Sequence, residues 1–278
     1  MNSRKAKNSF YKVILGLSAI ITVSILVFII GFIVIKGYKG ISIDFLIKDY
    51  SAKGDGGILP MILTTIYMVL LSIFIATPLG ILAAIYLQEY AKQGAIVKVI
   101  RFSTECLAGI PSIIYGLFGA IFFKEFLGFG YSILSGALTV SIIILPTIIR
   151  TTEEALKSVP YSFREASLGL GATKFQTLYK VIVPSALPGV LSGIILSVGR
   201  IIGESAAILL TVGTVAKMAT GIFSSSRTLT VHAYLVAKET GDIEQAAAIG
   251  IVLLVIIFLL NLITKCITKR FSKGNNFN

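Results

Sequence analysis

"REASLGLGATKFQTLYKVIVP", residues 164–184, is polar and punctuated by glycine, yet long apolar runs lie on either side of it. A bilayer core about 30 Å thick is crossed by about 20 apolar residues as helix, since only a helix or a closed barrel satisfies its own backbone in lipid. The quoted stretch therefore reads as a loop between two spans. Carried outward, the same test finds six spans: 13–35, 58–87, 100–123, 131–149, 185–212 and 246–267. The expected fold class is all-α, a polytopic membrane helix bundle with six transmembrane helices. The first run follows Arg4, Lys5, Lys7 and Lys12, as a signal peptide would. Its apolar part exceeds the usual roughly 7 to 15 residues and no small-residue cleavage pattern follows, so it counts as a span.

Composition agrees. Of 278 residues, 55% are hydrophobic and 14% charged, against about 25% charged in soluble domains. Mean hydropathy is +0.91. The net charge of +12 does not point to nucleic acid, because basic and aromatic residues interleave in no single patch. The charge reads as topology instead. The two tails and the loops 88–101 and 150–180 carry twice as many Lys and Arg as 36–53, Lys124 and 217–238, where Asp44, Asp49, Asp55, Glu125, Glu239, Asp242 and Glu244 offset the charge. Both termini and the quoted loop are expected in the cytoplasm. Cys106 and Cys266 show neither CxxC nor metal-ligand spacing and read as buried thiols. Pro78, Pro111 and Pro146 each remove a backbone donor inside a span and are expected to kink it.

Catalytic signatures are absent from the sequence. No GxxxxGK[ST] loop occurs, and "GLGATK" at 169–174 lacks that spacing. Neither HExxH nor GxSxG is present, and the single histidine, His232, is expected to be solvated in an external loop. The fifth span is more informative. Gly189, Gly193, Ser197, Arg200 and Glu204 recur at helical spacing and are expected along one face. The small residues fit a packing seam, and both Gly189/Gly193 and Gly199/Gly203 have GxxxG spacing. Arg200 and Glu204 call for more, since a charge at mid-bilayer costs roughly 2.5 to 3.5 kcal/mol and such charges line water-filled paths or pair with each other. At i, i+4 they are placed to pair. A guanidinium suits an oxyanion, so both are candidates for a substrate pathway. Glu105 is a weaker candidate, read as snorkelling to the interface.

In the loop itself Ser158 is placed to cap a helix beginning near Pro160, and Gly169 or Gly171 to end it. Thr173 then caps a second helix whose Phe175, Leu178 and Ile182 share a face, with Lys174 and Lys180 solvated and Pro184 stopping the run. By pattern alone this hairpin also fits an amphipathic loop resting on lipid. Glu165, Ala166, Ser167, then Gly171, nine residues and Val181–Ile182–Val183–Pro184 resemble the EAA loop of ABC-importer permeases, with Ser167 in place of the second alanine. The stretches "PLGILAAIYLQEYA", "GIPSIIYGLFG", "LPTIIRTTEEALKSVP" and "PSALPGVLSGIILSVGRIIGESAAILLT" are similar to the PstA family of phosphate permeases. Ser205 stands for that family's usual threonine, and its proline after "GES" is missing.

What the resemblance implies is the type I ABC importer permease fold: a tail, first span and external loop over 1–56, a permease domain over 57–267 with a coupling loop at 151–184, and a cytoplasmic tail over 268–278. It implies a subunit without its own ATPase, in a prokaryotic plasma membrane among lipid, translocating phosphate. The implied partners are a PstC-like permease, two ATP-binding subunits holding ATP and Mg, and an extracellular phosphate-binding protein. Glu165, Ala166, Ser167, Gly171 and Pro184 would couple to the ATPase, while Arg200 and Glu204 would line the path. A permease for molybdate or sulfate, a PstC-type partner permease, and a membrane enzyme or scaffold remain open at this point.

Overall fold

The computed structural model describes residues 2–51, 56–92 and 94–273; Lys53, Asp55 and the end of the C-terminal tail lie outside them. Every regular element among the described residues is helical. α1 (Asn2–Gly37) is followed by a short α2 (Ile43–Ile47), capped by Ser42 accepting from the Phe45 backbone at 3.0 Å. α3 (Leu59–Ile85) comes next, then α4 (Ala95–Gly109), α5 (Ser112–Gly119) and α6 (Ile133–Ser158). α7 (Tyr161–Gly169) and α8 (Lys174–Thr177) form the hairpin, and α9 (Val183–Gly203) leads to α10 (Ala206–Thr211), α11 (Leu229–Leu235) and α12 (Ile243–Lys273).

Five helices are long and apolar enough to cross a membrane, and a sixth crossing is made if α4 and α5 with its extension to Phe126 count as one span. The third span, 100–123, carries the kink expected at Pro111, and it is sharp enough to divide the segment into two helices. The chain bends by 99° between Gly109 and Ser112, where Ile110 and Pro111 adopt extended backbone. Proline at 111 lacks the amide that would continue the ladder, and it pushes the residue before it toward extended conformation. Pro78 and Pro146, by contrast, sit inside continuous helices.

α3, α6 and α9 form the centre of the bundle. Met68, Val69 and Ala76 meet Ala137, Val140, Ile144 and Ile148, and Val198, Ile201 and Ile202 close the cluster. Small residues set the spacing: a Cβ on Gly80 would lie 2.6 Å from Ile148 Cγ2, and one on Gly189 would lie 2.6 Å from Ala155 Cβ. Without a strong hydrophobic drive in lipid, such close approach supplies the packing. Ser141 adds a polar stitch by donating to the Ser72 carbonyl at 3.2 Å. α1 differs. The apolar window of that span is unburied, and the helix meets the bundle at Gly37, where a Cβ would fall 2.5 Å from Ala247 and Ala248 of α12.

Three expectations are corrected. Pro184 does not stop the run, because a π turn over Leu178–Ile182 passes α8 into α9 and one helix extends over Lys174–Gly203. The wider turn shifts the hydrogen-bond register just before the proline, which then falls in the first turn of α9, where a missing donor costs nothing. The fifth span does not continue to 212, since α9 ends at Gly203 and Glu204 is extended, φ −76°, ψ 127°. Cys106 and Cys266 are exposed rather than buried; in a lipid-facing chain, apolar side chains lie outward.

Candidate functional site

Two polar regions lie at opposite ends of the Lys174–Gly203 helix. At the α10 end, the predicted stripe divides. Gly189 and Gly193 are packing contacts with α6, the latter so close that a Cβ would sit 2.0 Å from Thr151 Oγ1. Ser197 is fully buried and donates to the Gly193 carbonyl at 2.9 Å. Arg200 is exposed, and around Gly199 and Gly203 there is open space.

The expected i, i+4 pair does not form, and no ion pair joins Arg200 to Glu204 among the described residues. The reason is the break at Gly203. Glu204 leaves the helix, is 8% exposed, and turns its Oε1 to accept from the Ala207 amide at 3.2 Å, capping α10. A carboxylate there satisfies a donor that the new helix cannot satisfy itself. Thr230 donates to the Ile202 carbonyl, freed by the same break.

This break packs against the other one. Gly116 of α5 approaches α10 so closely that a Cβ would lie 2.7 Å from Ala207 Cα. Tyr115 spans the bend of its own segment, its hydroxyl donating to the Leu107 carbonyl at 2.6 Å, and it lies within electrostatic reach of Arg200. Interrupted helices meeting inside a bundle, with a cation beside them, form an arrangement that membrane transporters use to receive polar cargo. Sequence reasoning missed Tyr115 and this pairing of breaks. The available signals were the proline at 111 and the "GES" at 203–205. Glu105 lies on the hairpin side, exposed in a cavity of about 430 Å³ with Arg101, Arg150, Glu153 and Glu154. Arg101 pairs with Glu153 and Arg150 with Glu154, each at 3.2 Å.

At the other end, local chemistry builds the hairpin. Ser158 does not cap α7; it closes α6 and donates back to Ala155. α7 ends in a Schellman motif, with Ala172 N–H bonded to Ser167 O at 3.2 Å and Gly171 N–H to Leu168 O at 2.9 Å. Gly171 takes φ +83°, a left-handed conformation that favours glycine. Thr173 and Gln176 form a capping box at the start of α8. Ser167 and Thr177 hydroxyls meet at 2.9 Å and pin the two legs together. Leu178 and Ile182 are buried against Ala155, Leu156 and Val159 as expected. Phe175 is not, being 64% exposed and stacked on Tyr179 beyond the reach of that cluster. Glu165, Ala166 and Gly171 are exposed, and Leu170 beside them is 89% exposed.

His232 overturns the expectation of a solvated loop residue. It lies on α11, outside the helices that cross the membrane, and is 1% exposed with its ring edge-on to Tyr50. Burial, and then the Arg227 charge nearby, push its pKa down to about 3. It is neutral at ordinary pH, next to a guanidinium that sits 4.7 Å over the Tyr50 ring.

Relatives of similar sequence and a solved structure of similar fold are known. A probable ABC transporter permease protein, YqgI of Bacillus subtilis, is 34% identical over 89% of this chain and 89% of its own. The phosphate transport system permease protein PstA of Mycobacterium leprae is 30% identical over 93% of this chain and 88% of its own. Among solved structures, a chain of a bacterial alginate ABC transporter shares the fold with a TM-score of 0.68 at 15% identity, over 92% of this chain and 95% of that one. Residues 76–273 match the family described as binding-protein-dependent transport system inner membrane component. The bundle, its interrupted helices and these likenesses agree: the chain belongs to that family, as an ABC permease of the PstA type.

Proposed function

We propose that this chain is the permease subunit of an ATP-driven importer that moves inorganic phosphate into a prokaryotic cell. The observation that carries the reading is the hairpin, a rigid element rooted in the α6 and α9 core that offers Glu165, Ala166, Gly171 and exposed Leu170 to a partner. Among the described residues, Glu165 forms no ion pair and is available for such a contact.

In this reading the hairpin docks on one of two ATP-binding subunits, which hold ATP and Mg, and this chain performs no hydrolysis itself. A PstC-like permease completes the path, and an extracellular phosphate-binding protein delivers the substrate. Both termini and the hairpin lie in the cytoplasm. ATP binding shifts a helix bundle between two arrangements only if the ATPase contacts differ between them. Arg200 attracts the anion, and Glu204 fixes the break beside it and accepts a hydrogen bond from a phosphate still carrying a proton. Retention is weak, as transport requires.

Gly171→Asp tests the docking. A Cβ there meets no neighbouring atom, and the left-handed φ of +83° strains any side chain at this turn, so insertion and assembly are measured alongside uptake while a charge enters the surface offered to the ATPase. Uptake of labelled phosphate is expected to vanish with membrane insertion intact; normal uptake would remove the docking role. Competition by molybdate or sulfate in the same assay separates the oxyanions.

A further inference from the structure

We propose that Glu89, at the end of the second span, is a positioning residue that transmits motion of the hairpin to α3. The inference rests on reading the hairpin as the ATPase-docking element. Glu89 lies on a π turn over Tyr86–Tyr90 that continues α3. Its carboxylate accepts from Arg164 Nη2 at 2.7 Å, with the two side chains only 11% and 15% exposed. Its backbone carbonyl accepts from Lys174 Nζ, and that ammonium also sits over the Tyr90 ring at 5.0 Å. One residue thus holds both legs of the hairpin, Arg164 from α7 and Lys174 from α8.

The same guanidinium donates to the Leu156 and Val159 carbonyls at 3.2 and 3.1 Å, the unsatisfied end of α6. Arg164 therefore joins α3, α6 and α7 at a point. Covalent continuity already makes the hairpin pull on α6 and α9. Glu89 adds α3, which is not adjacent to it in the chain.

The surroundings favour transmission over simple bracing. A cavity of about 630 Å³ opens beneath the clasp, bordered by Gln88, Lys157 and Ile182, so the hairpin is not packed solidly along α3. The link across it is polar and directional. π turns lie on both sides, Tyr86–Tyr90 and Leu178–Ile182, and such turns mark functional sites in helices. Beyond the clasp α3 is locked to α6 through Gly80 and Ser72, so a pull at Glu89 moves the two helices as one body.

The test uses the complete complex in proteoliposomes and reads inorganic phosphate moved per ATP hydrolysed, with co-purification of the ATP-binding subunits in parallel. Glu89→Ala should lower that ratio by about tenfold or more while the ATP-binding subunits remain bound. Glu89→Gln keeps an acceptor for Arg164 and should recover to within about threefold of the unaltered protein. An unchanged ratio in Glu89→Ala would overturn the inference. So would loss of the ATP-binding subunits from that variant, which would make Glu89 part of docking. Gly171→Asp separates the two readings: if it transports normally the docking role fails, whereas an inactive Gly171→Asp beside an unaffected Glu89→Ala removes the clasp alone.

Discussion

The helix over Lys174–Gly203 has a polar region at each end, and the two are finished in opposite ways. At the hairpin end Arg164 and Lys174 are engaged by Glu89 and by backbone carbonyls. At the other end Arg200 is exposed and meets no carboxylate among the described residues. The glycines repeat the contrast. Gly189 and Gly193 are filled by α6, while Gly199 and Gly203 face open space. At one end two cations are spent on contacts within this chain, and at the other Arg200 is left for something outside it. A region built to carry force needs its contacts fixed; a region built to meet an anion or a neighbouring subunit cannot spend its charge internally.

Substitutions can break that contrast. The largest effect is expected from Gly193→Leu, which forces a side chain into Thr151 and should prevent recovery of folded protein, whereas Gly203→Leu should still yield a folded chain. Size-exclusion of the two purified variants decides it. Equal behaviour would erase the difference between the seams. Next, Arg200→Ala should reduce phosphate uptake by about a hundredfold with the complex still assembled, and Arg200→Lys should recover part of it, because a point charge replaces a planar fork. Retained uptake would make Arg200 a surface residue only.

A smaller effect extends the comparison to a buried base. His232 is held neutral, so its contribution to stability is full above about pH 6.5 and drains away as pH falls toward about 3. Going from pH 7 to pH 5 should cost roughly 2 kcal/mol from this group. Thermal unfolding of the detergent-solubilised protein against pH measures it, and His232→Phe should flatten the slope. The smallest effect is at the paired end. Ser167→Ala removes the bond to Thr177 and should cost about 1 kcal/mol or less, read as a small fall in Tm with uptake retained.

These regions were also unequally legible in the sequence. The crossing helices show in hydropathy because the bilayer imposes length and composition together. The hairpin shows because its Schellman glycine and capping box are local chemistry, complete within a few residues. The break at Glu204 is hidden, since the apolar run continues on both sides of it and hydropathy does not register a change in backbone direction. Pro184 misled for a related reason: a proline stops a helix only when its missing amide was needed, and the π turn ahead of it removes that need. His232 misled because its burial depends on Tyr50 and Arg227, one of them far away in the chain. Cys106 followed a burial rule made for water, where the apolar side faces in.

The meeting of Gly37 with Ala247 has a consequence of scale. α1 is a rod of 36 residues, about 54 Å long, held against α12 near one of its ends, where Gly37 meets Ala247 and Ile33 lies beside Gly250. A methyl group at 37 that pushed this end aside by about 1 Å would swing the far end by roughly five times as much, taking about 10 Å of helix as the bearing. The aim of the longest helix in the molecule is thus fixed by the smallest side chain in it.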